Sequence, residues 1–276
     1  MATAHVNGMV FDYVSEGPDI GTPLVLLHGF PENHSCWSPL MTGLAAQGYR
    51  AIAPDQRGYS PLARPTSTSD YQLAPLVSDV LGLMDALDIE RAHIVGHDWG
   101  GAVAWALASS APDRVATLTV LSTPHPAALQ RAFVSSTQGL RSWYMGLFQV
   151  PGLAEHLLRP GRPMWSAIMR GLPAEAVAEY SAKAAEPGAL TAMLRWYRAL
   201  PRDAVRPSVP MHRITVPTLY VWGARDPALG AAAAAATADY VTGPYTFVEL
   251  PEHGHWLPEL ATDDVLPLLL EHLGEQ

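Results

Sequence analysis

Short, uninterrupted apolar runs alternate along this chain with segments whose apolar residues recur at helical spacing. Strands are predicted at six of these runs: 23–27, 51–53, 92–95, 115–121, 218–222 and 246–250. A strand that is apolar at consecutive positions is covered on both faces, which is typical of parallel sheets. Helical segments such as 73–87 separate the runs, so the pattern predicts a doubly wound α/β sheet.

The alternation stops between residues 124 and 213. This stretch has no strand-like run and consists of aromatic and leucine-rich helical pieces divided by prolines. We therefore predict an all-helical insertion, 124–213, that forms a cap over a core domain made of 1–123 and 214–276. The alanine run at 231–236 is predicted to be a helix, because alanine is the best helix former.

Composition narrows the classes of partner. The chain has 276 residues and a net charge of −9, and 49% of its residues are hydrophobic. This is a globular composition, and an acidic surface disfavours nucleic acid and anionic membranes as partners. With Cys36 as its single cysteine the chain can form no intrachain disulfide. No signal peptide or membrane span is visible, so we expect a cytoplasmic protein and leave a homodimer open.

The segment Gly-His-Asp-Trp-Gly at 96–100 lies between a predicted strand and a helix rich in small residues. A sharp turn of this kind presents a nucleophile, here Asp98, and its glycines prevent side-chain clashes. A carboxylate alkylated at a saturated carbon becomes an ester that water can cleave, whereas a serine would become a stable ether. The alternative is that Asp98 merely caps the following helix.

Two further polar residues follow the last two predicted strands. Asp226 and His255 come after Asp98 in the order nucleophile, acid, base. His255 would activate water and Asp226 would orient its ring, with His253 as a weaker rival for the base. The backbone N–H groups of Phe30 and Trp99 are predicted to form an oxyanion hole.

These motifs together resemble those of epoxide hydrolases of the soluble α/β-hydrolase fold, along nearly the whole chain. The similar segments are 28–32, 55–59, 96–100, 144–152 and 196–198. The resemblance implies that Tyr144 and Tyr197 lie on the cap above Asp98 and assist ring opening. A phenol remains protonated at neutral pH, so it can donate to the departing oxygen, although either tyrosine could also be plain core. Glu32 either holds the hydrolytic water or is a solvated loop charge.

The predicted function is hydrolysis of a small apolar epoxide to a vicinal diol through an ester on Asp98. We find no metal-ligand spacing and expect no cofactor. Trp37, Phe148 and Trp256 are candidates for the substrate pocket. One alternative is a haloalkane dehalogenase with the same nucleophile, although Phe30 stands where that family usually has Asn. Another is a non-catalytic protein that binds a small ligand on a hydrolase fold.

Overall fold

One eight-stranded sheet organises the protein, whose computed structural model describes residues 1–274. The strands are β1 (Ala2–Val6), β2 (Met9–Glu16), β3 (Thr22–Leu27), β4 (Tyr49–Pro54), β5 (Ala92–His97), β6 (Val115–Leu121), β7 (Thr218–Gly223) and β8 (Tyr245–Leu250). Their spatial order is β1-β2-β4-β3-β5-β6-β7-β8. Strands β3 to β8 run parallel, while β2 pairs antiparallel with both of its neighbours, β1 and β4. All six predicted strands and the doubly wound, mostly parallel α/β fold are confirmed.

The N-terminal hairpin is the part of the sheet that the sequence analysis missed. Strands β1 and β2 pair through a turn at Asn7 and Gly8, both of which have positive φ angles of 52° and 76°. Asn-Gly is a typical two-residue hairpin signal, because both residues tolerate this backbone conformation. The two strands lie at the sheet edge and alternate only partly between buried and exposed positions. They therefore lack the continuous apolar run that marks the central strands.

Helices cover both faces of the sheet. Their bounds are α1 (Ser38–Ala46), α2 (Leu73–Ala86), α3 (Trp99–Ser110), α4 (Pro126–Ser135), α5 (Gln138–Arg141), α6 (Trp143–Phe148), α7 (Leu153–Leu158), α8 (Pro163–Ile168), α9 (Ala174–Ala185), α10 (Ala189–Val205), α11 (Ala231–Ala236), α12 (Leu257–Leu260) and α13 (Thr262–Gly274). The helix predicted over the alanine run is confirmed as α11. Within 1–274, no helix is long and apolar enough to span a membrane.

The chain between β6 and β7 forms seven helices, α4 to α10, and no named strand in this fully described stretch. That these helices constitute a separate cap domain with the predicted boundaries stays a prediction. Their contacts with the sheet's loops are specific. Asp203 on α10 accepts from the backbone N–H of Leu73 at 2.9 Å and so caps α2.

A buried carboxylate joins α9 to the loop after β4. Asp55 is fully buried, and its Oδ2 lies 3.1 Å from Nζ of Lys183, the only lysine of the chain. Its Oδ1 accepts from the backbone N–H and from Nδ1 of His34, at 3.0 and 2.7 Å. Burial alone would raise the pKa of Asp55, but the hydrogen bond of His34, followed by the charges of His28, His34 and Lys183, outweighs burial and holds the pKa well below its usual range. Asp55 is therefore an anion whose charge depends on Lys183 and His34.

Lys183→Met is expected to lower the free energy of unfolding by about 1–3 kcal/mol, since it leaves a buried charge with one partner fewer. Arg131→Met is the matched control, because Arg131 pairs with Asp239 at 3.3 Å where both side chains are 64% exposed. Such a surface pair contributes about 0–1 kcal/mol. Urea unfolding of both variants measures the difference, and equal losses would contradict this account of Asp55.

Candidate active site

Asp98 lies on the sharp turn between β5 and α3. Its backbone has φ +48° and ψ −118°, a strained conformation for a residue with a side chain. Two glycines make room for this turn. A Cβ on Gly100, two residues after Asp98, would overlap the carbonyl oxygen of Leu27, and a Cβ on Gly29, in the loop after β3, would overlap the Asp98 side chain. Such a turn lifts the carboxylate above the carboxyl edge of the sheet, as the motif predicted.

The loop after β3 holds one oxygen of this carboxylate. The backbone N–H of Phe30 donates to Oδ1 of Asp98 at 2.8 Å. This is one of the two predicted oxyanion-hole donors, and it is positioned before any reaction occurs. The second, the N–H of Trp99, belongs to the first residue of α3, and its contribution stays a prediction.

The other oxygen of Asp98 faces a histidine–carboxylate pair. Nε2 of His255 lies 3.6 Å from Oδ2 of Asp98, and Nδ1 lies 2.8 Å from Oδ2 of Asp226. Asp226 is buried, and its Oδ1 accepts from the N–H groups of Ala228 and Leu229 at 2.7 and 2.9 Å. The structure thus brings Asp98, His255 and Asp226 together in the predicted arrangement. His253 instead bonds Asp264 at 2.8 Å.

The charge of His255 depends on both carboxylates. Burial lowers the pKa of its imidazole, but the charge and hydrogen bond of Asp226, followed by the charge of Asp98, outweigh burial and raise the pKa to about 10. His255 is therefore an imidazolium at neutral pH while Asp98 is ionised. A protonated histidine is no base, so this group can accept a proton only after one of its anionic neighbours is neutralised.

His97 connects the base to Glu32, a role that the sequence analysis missed. Nε2 of His97 lies 2.9 Å from the carbonyl oxygen of His255, and Nδ1 lies 3.0 Å from Oε2 of Glu32. Both partners are acceptors, so each ring nitrogen is placed where it can donate a hydrogen bond. Ser122 also donates to the His255 carbonyl, at 2.8 Å. The sequence offered one clue to this role, because His97 lies inside the glycine-rich turn motif. Its partner Glu32, however, is 65 residues away along the chain.

Glu32 is a buried anion and not a solvated loop charge. It is fully inaccessible, and its Oε2 also accepts from the backbone N–H of Gly29 at 2.6 Å. Burial raises the pKa of this carboxyl, but the charge and hydrogen bond of His97 and the Gly29 N–H lower it below its usual value. Glu32 therefore stabilises the loop that carries the Phe30 donor.

Two tyrosines on the helical segment lie near the turn that carries Asp98. Tyr197 on α10 packs edge-on against Phe30 and Trp99, with ring centroids 5.3 and 5.1 Å apart, and Tyr144 on α6 lies 6.2 Å from Tyr197. Burial, and then the charge of Asp98, raise the pKa of both phenols above the usual range. Both hydroxyl groups are consequently protonated and can act only as donors or neutral acceptors at neutral pH.

The predicted pocket residues differ in their positions. Phe148 packs against Phe30, Tyr144 and Tyr197, and Trp256 packs against His255, so both border the site. Trp37 is fully buried in the turn before α1, and its place in a pocket stays a prediction. No group of three or more His, Cys, Asp or Glu residues within 1–274 could hold a metal ion.

Asp98→Asn should make His255 less basic, because it replaces the anion beside Nε2 by a neutral group of the same shape. We expect the pKa of His255 to fall from about 10 by roughly 1–3 pH units, the usual effect of losing one close opposite charge. Titration of the ring nitrogens by NMR measures it in both proteins. The same pKa in both would show that Asp98 does not control the charge of His255.

Comparisons with known proteins agree with this fold. A family model described as alpha/beta hydrolase fold matches residues 22–262. The chain is 37% identical to the AB hydrolase superfamily protein YfhM of Bacillus subtilis, over 99% of this chain and 97% of that protein. It is 35% identical to Epoxide hydrolase A of Mycobacterium tuberculosis, over 97% and 95% of the two chains.

Solved structures give the same assignment. An epoxide hydrolase from metagenomes of hot environments superimposes with a TM-score of 0.87 at 30% identity, covering 99% of this chain and 97% of that one. The predicted resemblance to epoxide hydrolases is therefore confirmed. Since the family model covers most of the chain and both curated relatives match it over nearly their full length, the protein belongs to the α/β-hydrolase family.

Proposed function

We propose that this protein is an epoxide hydrolase that opens an epoxide to a vicinal diol through a covalent ester on Asp98. The observation that carries the proposal is a carboxylate at the nucleophile turn, with His255 3.6 Å away and two protonated phenols near it. Relatives named as epoxide hydrolases, 35% identical in one case, support the same substrate class. A serine esterase would need a hydroxyl where Asp98 stands.

In the first half-reaction, Oδ2 of Asp98 attacks an epoxide carbon, because the Phe30 N–H already engages Oδ1. The carbon–oxygen bond of the ring breaks, and its electron pair forms an alkoxide. Tyr144 and Tyr197 donate hydrogen bonds to this oxygen and pass it a proton. The imidazolium of His255 replaces that proton. Asp98 is now a neutral ester and His255 is neutral.

In the second half-reaction, His255 is a base because the ester has removed the Asp98 charge. It accepts a proton from water, whose oxygen attacks Cγ of Asp98. The Phe30 N–H, and in our proposal the Trp99 N–H, stabilise the oxyanion of the tetrahedral intermediate. As the intermediate collapses, the proton of its new hydroxyl group passes to the departing diol oxygen, which leaves Asp98 as a carboxylate and His255 as an imidazolium. Glu32 holds the loop and the water in place.

His255→Gln should stop the second half-reaction while leaving the nucleophile intact. Incubation with an epoxide such as styrene oxide is expected to give a stable adduct whose mass equals enzyme plus substrate, located on the peptide with Asp98. His253→Gln is the matched control, because this histidine bonds Asp264 and not the site, and it should turn over without an adduct. Normal diol release by His255→Gln would contradict the proposed base.

Tyr144→Phe combined with Tyr197→Phe should slow alkylation by epoxides about 10²–10⁴-fold, the usual contribution of a positioned acid. Single-turnover kinetics measure the step, and thermal unfolding checks the fold. A terminal haloalkane is the control substrate, since a halide leaves without a proton. Chloride release that exceeds diol formation in the wild-type protein would favour the dehalogenase alternative, and unchanged epoxide opening by the double variant would contradict the role of the phenols.

A further inference from the structure

Residues 226–230 form the loop after β7 that carries Asp226, which we name the acid loop. Oδ1 of Asp226 accepts from the N–H groups of Ala228 and Leu229, and the indole N–H of Trp222 on β7 donates to the carbonyl oxygen of Leu229 at 2.9 Å. These contacts lie within the loop and its own strand. Three carbonyl oxygens and one N–H of the acid loop bond instead to α5, in the helical segment between β6 and β7.

A buried glutamine of α5 holds the second half of the acid loop. Gln138 is 1% exposed. Its side-chain amide donates to the carbonyl oxygen of Ala228 at 2.7 Å and to the hydroxyl of Ser142 at 2.9 Å, and it accepts from the N–H of Gly230 at 2.9 Å. The approach is close, because a Cβ on Gly230 would lie 3.3 Å from Oε1 of Gln138. A side-chain amide offers both a donor and an acceptor, so this one residue satisfies two backbone groups of the loop.

Arg141, one turn after Gln138 on the same helix, holds the first half of the acid loop. Its Nη1 donates to the carbonyl oxygens of Asp226 and Pro227 at 3.0 and 3.3 Å. The side chain of Asp226 in turn bonds the base, since its Oδ2 lies 2.8 Å from Nδ1 of His255. Helix α5 therefore holds the backbone of the residue whose carboxylate holds the base.

Packing alone does not account for Gln138. A buried amide is unfavourable unless it is bonded, and methionine fills a similar space without that cost. Apart from Ser142, both partners of this amide are in the acid loop, so the position of the loop depends on α5. A shift of the loop would displace Asp226 and with it His255, and a displacement of about 1 Å can cost an enzyme about 10²-fold in rate.

We propose that Gln138 and Arg141 are positioning residues, which hold the acid loop so that the Asp226 carboxylate stays against His255. Through them, the helical segment supports the base of the reaction in addition to carrying the two tyrosines. The inference rests on the proposed function, which gives His255 its role as base.

The first test needs no substrate and compares the pKa of His255 in Gln138→Met and in the wild-type protein by NMR titration of the ring nitrogens. Methionine occupies the space but bonds neither Ala228 nor Gly230. We expect the pKa of His255 to fall from about 10 by about 1 pH unit, a part of the usual effect of one close opposite charge. The same pKa in both proteins would overturn the proposal.

Other groups around His255 do not offer another route for this effect. The ionisable residues that act on its ring are Asp226, Asp98, Glu32, His97 and Glu259. Among them only Asp226 has a hydrogen bond to α5 within residues 1–274. A change in the pKa of His255 in Gln138→Met therefore reports on the position of Asp226.

Gln72→Met is the matched control. This half-buried glutamine also joins the helical segment to the rest of the chain, because its side-chain N–H donates to Asp203 on α10 at 3.1 Å, but it does not bond the acid loop. We expect a loss of thermal stability with the pKa of His255 unchanged. A fall as large as that in Gln138→Met would show that any loosening of the helical segment suffices, and it would overturn the specific role of α5.

Arg141→Met is the second variant, and it carries the test if far-UV circular dichroism shows that Gln138→Met does not fold. Arg141 is exposed, and methionine removes the donor to the Asp226 and Pro227 carbonyl oxygens. Loss of a nearby positive charge would by itself raise the pKa of His255. We expect a fall, which reports displacement of Asp226, and a rise would contradict the role of Arg141.

Single-turnover kinetics with styrene oxide connect this position to the reaction. We expect Gln138→Met to slow ester hydrolysis about 10–100-fold, while Gln72→Met hydrolyses the ester at the wild-type rate. Hydrolysis by Gln138→Met at the wild-type rate would overturn the proposal. If the wild-type protein forms no ester with any epoxide, the proposed function fails, whereas a lowered pKa of His255 in Gln138→Met still supports the hold of α5 on Asp226.

Discussion

The hydrogen bond from the Phe30 N–H to Oδ1 of Asp98 is the contact on which the rest of the site depends. It is 2.8 Å long and joins the loop after β3 to the strained turn after β5. Gly29 and Gly100 permit this close approach, because a side chain on either would overlap the neighbouring loop. With Oδ1 engaged, only Oδ2 is directed toward His255. In the proposed reaction, this geometry distinguishes the oxygen that attacks from the oxygen that is stabilised.

In the proposed mechanism, the charges around this contact let each half-reaction prepare the next. Two carboxylates hold His255 as an imidazolium with a pKa of about 10, which supplies a proton but cannot accept one. In that mechanism, esterification of Asp98 removes one of the two negative charges and so converts the same ring into a base. His97 and Ser122 fix the His255 carbonyl, so the ring can change charge without losing its position.

The central strands and the three residues Asp98, Asp226 and His255 were predictable, because each residue lies within five positions after the end of a predicted strand. The edge hairpin was missed because β1 and β2 are only partly buried and carry no continuous apolar run. The contact between His97 and Glu32 was also missed, since it depends on how two loops 65 residues apart meet above the sheet. Spacing along a chain identifies residues at strand ends but does not show which neighbours share a proton.

The most direct test of the account is the origin of the oxygen in the product. A single turnover, with enzyme in excess over an epoxide in heavy-oxygen water, is followed by mass spectrometry of the diol and of the peptide that contains Asp98. The account predicts one heavy oxygen in the Asp98 carboxylate and none in the diol. A labelled diol with an unlabelled Asp98 would show that water attacks the epoxide directly, and it would contradict the covalent ester.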